Sequence, residues 1–215
     1  VNFFCHPTLE RNPQREAHWA AALAPYYQEL GISPPNLSTG PVRAPFNSDM
    51  ADVLQDFRPA VVSFHFGLPT PDLLAHVKSW GAIVLSTATT VEEALWLQAH
   101  GADAIIAQGL EAGGHRGMFL TADLNTQVST LALVPQIVKA VKLPVIAAGG
   151  ISNPAAVRAA KALGASAVQV GTANFSEPRA MSRIQREMNK WAKHNGVDDW
   201  SKIVGLAHRG GLRAL

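Results

Sequence analysis

A chain of 215 residues with 47% hydrophobic content can bury one substantial core, which excludes a disordered or fibrous class. A formal charge of +2 gives no field suited to gathering a polyanion, no apolar run reaches the ~18 residues of a membrane span, and the single cysteine, Cys5, excludes an internal disulfide. The first residues lack the charged-then-apolar order of a signal peptide, so a soluble, cytoplasmic, single-domain protein that binds neither membrane nor nucleic acid is expected.

The chain opens on an apolar strand, residues 1–5, which runs into Cys5 and His6. The helix-like "EAHWAAALAPYYQELG" follows, and then residues 33–48, whose four prolines predict a loop. A strand over 60–65 ends at His65. Thr70 before Pro71 marks a helix start, and Gly81 stops that helix ahead of a strand over 82–87. Thr90 with Glu93 predicts a capping box, Gly101 the stop, and 103–107 a further strand. The last units place strands at 144–148 and 167–171 around a helix opened by Asn153–Pro154 and closed by Gly164.

Residues 176–215 carry 8 Lys and Arg against 4 Asp and Glu, where residues 1–175 carry 10 against 12. Met181, Ile184, Met188 and Trp191 recur there at helical spacing between basic residues, which predicts a packed helix with a solvated basic face.

Three helix-to-strand joints of one kind, with continuous apolar strands, predict a parallel sheet covered by helices. Two architectures remain at this point: a doubly wound open sheet or a (β/α)8 barrel. In either, the carboxyl ends of the strands form the ligand face. Three of those ends open into small or polar residues: "AQGLEAGGH", "AAGGISNP" and "VGTANF". Gly149, Gly150, Gly171 and Thr172 would let backbone N–H groups approach a phosphate. Gly113 and Gly114 would admit a flat ligand, beside which Gln108 offers donor and acceptor. His115, behind them, carries an imidazole suited to proton transfer near neutrality, and His65 ends another strand towards the same site. The spacings fit no compact zinc pattern, so no metal is expected, and no G-x-S-x-G marks a hydrolase.

"VNFFCHP", "VVSFHFGLP", "STATTVEEALWLQAHGADAIIAQGLEAGGHRG" and "PVIAAGGISNPAAVRAAKALGASAVQVGTA" together resemble the nitronate monooxygenases, formerly 2-nitropropane dioxygenases, over residues 1–173. The resemblance implies an α/β fold of the TIM (β/α)8 type with FMN at the strand ends, apparent here as about six units with the first two missing. It implies an oxidoreductase that converts nitronates or nitroalkanes with O2 to a carbonyl compound and nitrite. His115 would be the catalytic base. Gln108, Gly113 and Gly114 would lie along the isoalloxazine, Asn2 near its pyrimidine side, and Gly149, Gly150, Gly171 and Thr172 around the phosphate, with His65 towards substrate.

Residues 1–215 are expected to form one FMN-binding domain, its body at 1–173 and a divergent basic helical tail at 174–215. The chain from about 171 resembles the end of a dihydroorotate dehydrogenase, which keeps a dehydrogenase of that kind, or a non-catalytic flavin or phosphate binder, as alternatives. A six-strand piece exposes apolar edges, so pairing with another copy or a further segment, and hence a homo-oligomer, is expected.

Overall fold

The computed structural model describes residues 1–8, 12–34 and 44–209. They divide into two compact units, Pro7–Pro45 and the remainder, Val1–His6 with Phe46 onward. Within Pro7–Pro45 the described residues form a helix, α1 (Pro13–Glu29), which is capped by the Asn12 side chain on Arg15 N–H and buries none of its residues. Most of the proline-rich loop expected over 33–48 lies outside the described residues; its last residue, Ser48, opens a helix.

The larger unit repeats strand and helix: β1 (Asn2–Phe4), α2 (Ser48–Phe57), β2 (Val61–His65), α3 (Pro71–Ser79), β3 (Ile83–Ala88), α4 (Val91–Ala99), β4 (Ala104–Gln108), α5 (Thr130–Ala140), β5 (Val145–Ala148), α6 (Pro154–Ala162) and β6 (Ala167–Gln169). A short helix α7 (Ala173–Ser176) and the longer α8 (Ala180–His194) follow. All six strands are parallel and stand side by side in chain order. A doubly wound sheet reverses its order at a switch point, whereas a barrel does not. The uninterrupted order is therefore that of six successive barrel staves.

The predicted helix stops have a common cause. Gly81, Gly101 and Gly164 each follow a C-cap residue and hold φ of 85°, 98° and 105°, a conformation glycine adopts without a Cβ clash. Asn153 caps α6 through its side chain on Ala156 N–H. Thr70 makes no side-chain cap, so Pro71 alone marks that start. Thr90 accepts from Glu93 N–H, but the Glu93 carboxylate turns to Thr89 and completes no box.

Alternate strand residues face the helices. Val62, Phe64 and Val84 are buried there against Leu54, Leu74 and Val77, and Ile105, Ala107, Val145 and Ala147 in a second cluster with Leu97, Leu133 and Ile137, with each large side chain contributing about 1.5–3 kcal/mol by leaving water. The buried stripe of α8 is Ala180, Ile184, Met188 and Ala192; Met181 is exposed, and Trp191 lies partly buried beneath the Arg158 guanidinium, 4.9 Å from the ring centre. The i, i+4 row that meets the core thus runs through two alanines rather than the larger Met181 and Trp191.

Candidate active site

The other strand face and the loops at the carboxyl ends enclose a solvent-open cavity of about 670 Å³. Its strand contributions alternate: Asn2 and Phe4 from β1, Ser63 and His65 from β2, Thr87 from β3, Ile106 and Gln108 from β4, Ala148 from β5 and Gln169 from β6. Register aligns them across the sheet, with Asn2 opposite Ser63, Phe4 opposite His65, Thr87 opposite Ile106, and Gln108 opposite Ala148. All ten residues singled out in the sequence, Asn2, His65, Gln108, Gly113, Gly114, His115, Gly149, Gly150, Gly171 and Thr172, line this one cavity.

The segment 109–117 is held by polar contacts from several directions. Arg116 donates to the carbonyls of Gly109 and Leu110 at 3.1 Å each, closing the segment into a loop. Glu111 accepts from Thr130 N–H and Thr130 Oγ1, both at 2.8 Å, which ties the loop to the start of α5. Desolvation alone would push the Glu111 carboxyl up, but these bonds and the nearby Arg116 outweigh it and hold the group below the usual carboxylate range. Gln108 donates from Nε2 to His115 O at 2.9 Å and accepts from Gly117 N–H at 2.7 Å. Beyond, Glu93 is fully buried, and its carboxylate accepts from Thr89 N–H, Thr89 Oγ1, Phe119 N–H and Leu120 N–H.

The glycines permit this packing. A Cβ on Gly113 would lie 2.3 Å from Thr172 Oγ1, and one on Gly109 would lie 2.2 Å from Thr130 N, so the loop touches both the β6 end and the start of α5. Gly149 and Gly150, at φ of 117° and 68°, turn the chain off β5 beneath the same loop. At Gly114 and Gly171 an added Cβ meets no protein atom within 4 Å. Those two positions border open cavity.

His115 is exposed within the chain, and its ring packs edgewise on Phe4, with centres 5.1 Å apart, and on Phe66 at 6.1 Å. Its ring nitrogens receive no hydrogen bond from a described residue. His65 differs, because Nδ1 meets Thr87 Oγ1 at 3.0 Å and Nε2 meets the carbonyl of His115 at 2.9 Å. Burial holds its pKa below the ordinary imidazole value; the bond to the His115 carbonyl opposes this, and the neighbouring His115 ring adds to it. Cys5 lies under the strand end, where burial pushes its thiol up to about 12 and leaves it a poor nucleophile. Among the described residues no group of three or more His, Cys, Asp or Glu could hold a metal ion.

Sequence reasoning did not single out Phe4, Ser63, Thr87, Glu111 or Gln169. The period of two would have found Phe4, Ser63 and Gln169, each two residues from one already chosen, while Thr87 lies across from Ile106, itself two residues from Gln108. Glu111 is different. Nothing in its neighbours in sequence foretells that it reaches Thr130.

The nitronate monooxygenase family model matches residues 1–188, fifteen residues beyond the motifs' end at 173, and so reaches the first part of α8. A curated nitronate monooxygenase from Pseudomonas aeruginosa is 46% identical over 80% of this chain and 50% of its own length. Among solved structures, a nitroalkane oxidase from Streptomyces ansochromogenes superposes with a TM-score of 0.69 and 37% identity over 80% of this chain and 49% of its own. A dihydroorotate dehydrogenase (DHODH) from Eimeria tenella, 15% identical, covers 75% of this chain and 58% of its own with a TM-score of 0.53, and shares the fold. The chain spans about half the length of the curated relatives it matches. No helix among the described residues is long and apolar enough to cross a membrane.

Proposed function

The chain belongs to the nitronate monooxygenase family, and from that premise we propose that its cavity binds FMN and oxidises nitronates and nitroalkanes with O2 to a carbonyl compound and nitrite. One observation carries the reading: the exposed His115 imidazole and five glycines from three strand ends border a single cavity at the carboxyl ends of parallel strands.

The residues fit a phosphorylated planar group. Gly114 and Gly171 leave open the space that a Cβ would fill. Gly149, Gly150, Gly171 and Thr172 would hold the phosphate through backbone N–H groups and the Thr172 hydroxyl. Gly113, Gly114 and Gln108 would flank the ring. The Asn2 amide, whose oxygen already accepts from Ser63 Oγ at 2.8 Å, would offer its NH2 to a carbonyl on the pyrimidine edge. Bound there, a flavin supplies the electron acceptor that substrate reduces and O2 reoxidises.

His115 supplies the base. Its imidazole takes the proton α to the nitro group of a nitroalkane, and the electron pair left on carbon spreads onto the nitro oxygens. A nitronate arrives without that proton and bypasses the step. Phe4 and Phe66 wall the ring on one side with apolar surface, against which an alkyl chain can lie.

The test is reconstitution of the full chain with FMN, followed by nitrite release from a nitroalkane and from its nitronate. His115→Asn is expected to leave flavin absorption intact and to slow the nitroalkane on the order of 10²-fold while sparing the nitronate. Failure to take up FMN, or equal rates for the two proteins on the nitroalkane, removes the reading.

A further inference from the structure

The His65 ring spends both nitrogens inside the protein. The carbonyl of His115 only accepts, so the proton lies on Nε2; Nδ1 is then bare and accepts the Thr87 hydroxyl proton. Neither nitrogen is left for a ligand. The same His115 carbonyl also receives Gln108 Nε2, so side chains at the ends of β2 and β4 converge on one peptide oxygen from two directions. The chain then lies directly on the pair beneath it. A Cβ on Gly117 would stand 2.6 Å from Thr87 Cγ2 and 2.7 Å from His65 Cε1.

We propose that His65 is a positioning residue for the catalytic base: its Nε2–H, the tautomer the His115 carbonyl requires, with the ring held at Nδ1 by the Thr87 hydroxyl, pins the His115 peptide and thereby aims the His115 imidazole. This rests on the reading of His115 as base and gives His65 no direct contact with substrate. Thr87 acts one step further back. It is 4% exposed, with its hydroxyl aimed at Nδ1. Without that hydroxyl Nδ1 loses its partner and the ring is held through Nε2 alone, so its orientation against the carbonyl loosens.

The consequence belongs to one half of the chemistry. Aiming a base matters for removing a proton from carbon, and a misplacement on the order of 1 Å costs about 10²-fold. It does not matter for a nitronate. His65→Leu is therefore expected to lower kcat on a nitroalkane about 10- to 100-fold at nearly unchanged KM, and to leave kcat and KM on the nitronate within about 2-fold. His65→Gln, whose amide N–H reaches the position of Nε2, restores most of the nitroalkane rate. Thr87→Val repeats the loss in milder form and Thr87→Ser does not.

A readout without cofactor or turnover accompanies these rates. Nitrogen-15 spectra of imidazole-labelled protein near pH 8 are expected to show His65 as the Nε2–H tautomer, with the Nδ1 resonance shifted in Thr87→Val as it loses its donor. Equal losses on both substrates, a raised nitronate KM, no rescue by Gln, or an Nδ1–H tautomer in the unsubstituted protein each overturn the proposal. If His115→Asn separates the two substrates and His65→Leu does not, this proposal fails alone. If His115→Asn separates nothing, the base reading falls and this one with it.

Discussion

An alanine at Gly117 would press its Cβ into Thr87 Cγ2 and His65 Cε1, two side chains already fixed by their mutual hydrogen bond, with no flexible end to swing aside. At Gly114, three residues earlier in the same loop, an added Cβ meets nothing. The two substitutions should therefore fail in different ways. Gly117→Ala is expected to cost about 1–3 kcal/mol of stability, read as a lowered midpoint in urea, and to slow nitroalkane oxidation by displacing the peptide of His115. Gly114→Ala should leave the stability within about 0.5 kcal/mol and instead weaken FMN binding, because its methyl enters the space proposed for the ring. A Gly117→Ala midpoint equal to that of the unsubstituted protein would mean the loop does not rest on His65 and Thr87 as drawn.

Among elements, the join between β3 with α4 and the loop after β4 depends on one carboxylate. Glu93 is fully buried and takes two donors from Thr89 and two from the backbone at Phe119 and Leu120. Glu93→Gln would keep the oxygen facing Phe119 but set an NH2 against Thr89 N–H, so a buried donor loses its acceptor. A loss of about 2–3 kcal/mol is expected, with faster amide exchange at Phe119 and Leu120; unaltered exchange there would show that the loop is held by something else. The sequence made Glu93 legible only as half a capping box. Thr90 is legible as the cap, because N-caps depend on neighbours three residues away, whereas the partners at Phe119 and Leu120 stand 26 and 27 residues off and exist only once α4 packs beside that loop. Strand exposure shows the same limit. β4 is buried along its whole length, as a continuous apolar run implies, but β2, equally apolar at its start, alternates, with Val61 41% exposed and Val62 buried.

For the whole molecule, strand order settled what periodicity could not. Alternating strands and helices fit two architectures, and only the sequential pairing from β1 to β6, with no reversal, selects the barrel type. The cavity residues were legible because the strand ends were: small residues directly after an apolar run mark a carboxyl end, and all such ends of a parallel sheet face one side. The same placement predicts how the fold responds to acid. Burial holds the His65 pKa below its ordinary 6.5, so folding favours the neutral ring; that contribution is complete above about pH 6.5 and is lost as pH falls through the folded value. Glu111 is held below its ordinary 4.5, so its contribution is complete above that pH and disappears further down, as the carboxylate that ties the loop to α5 takes up a proton. Both changes have the same sign. The melting temperature should therefore fall in two stages on acidification, the first beginning near pH 6.5 and the second below pH 4.5. His65→Gln, which has no titrating ring, should abolish the first stage and keep the second, and Glu111→Gln should reduce the second, to which Glu177, Asp198 and Asp199 also contribute, and keep the first. Melting curves collected between pH 8 and 3.5 decide the matter: a first stage that persists undiminished in His65→Gln would mean that the buried imidazole at the end of β2 is not what couples this fold to protons.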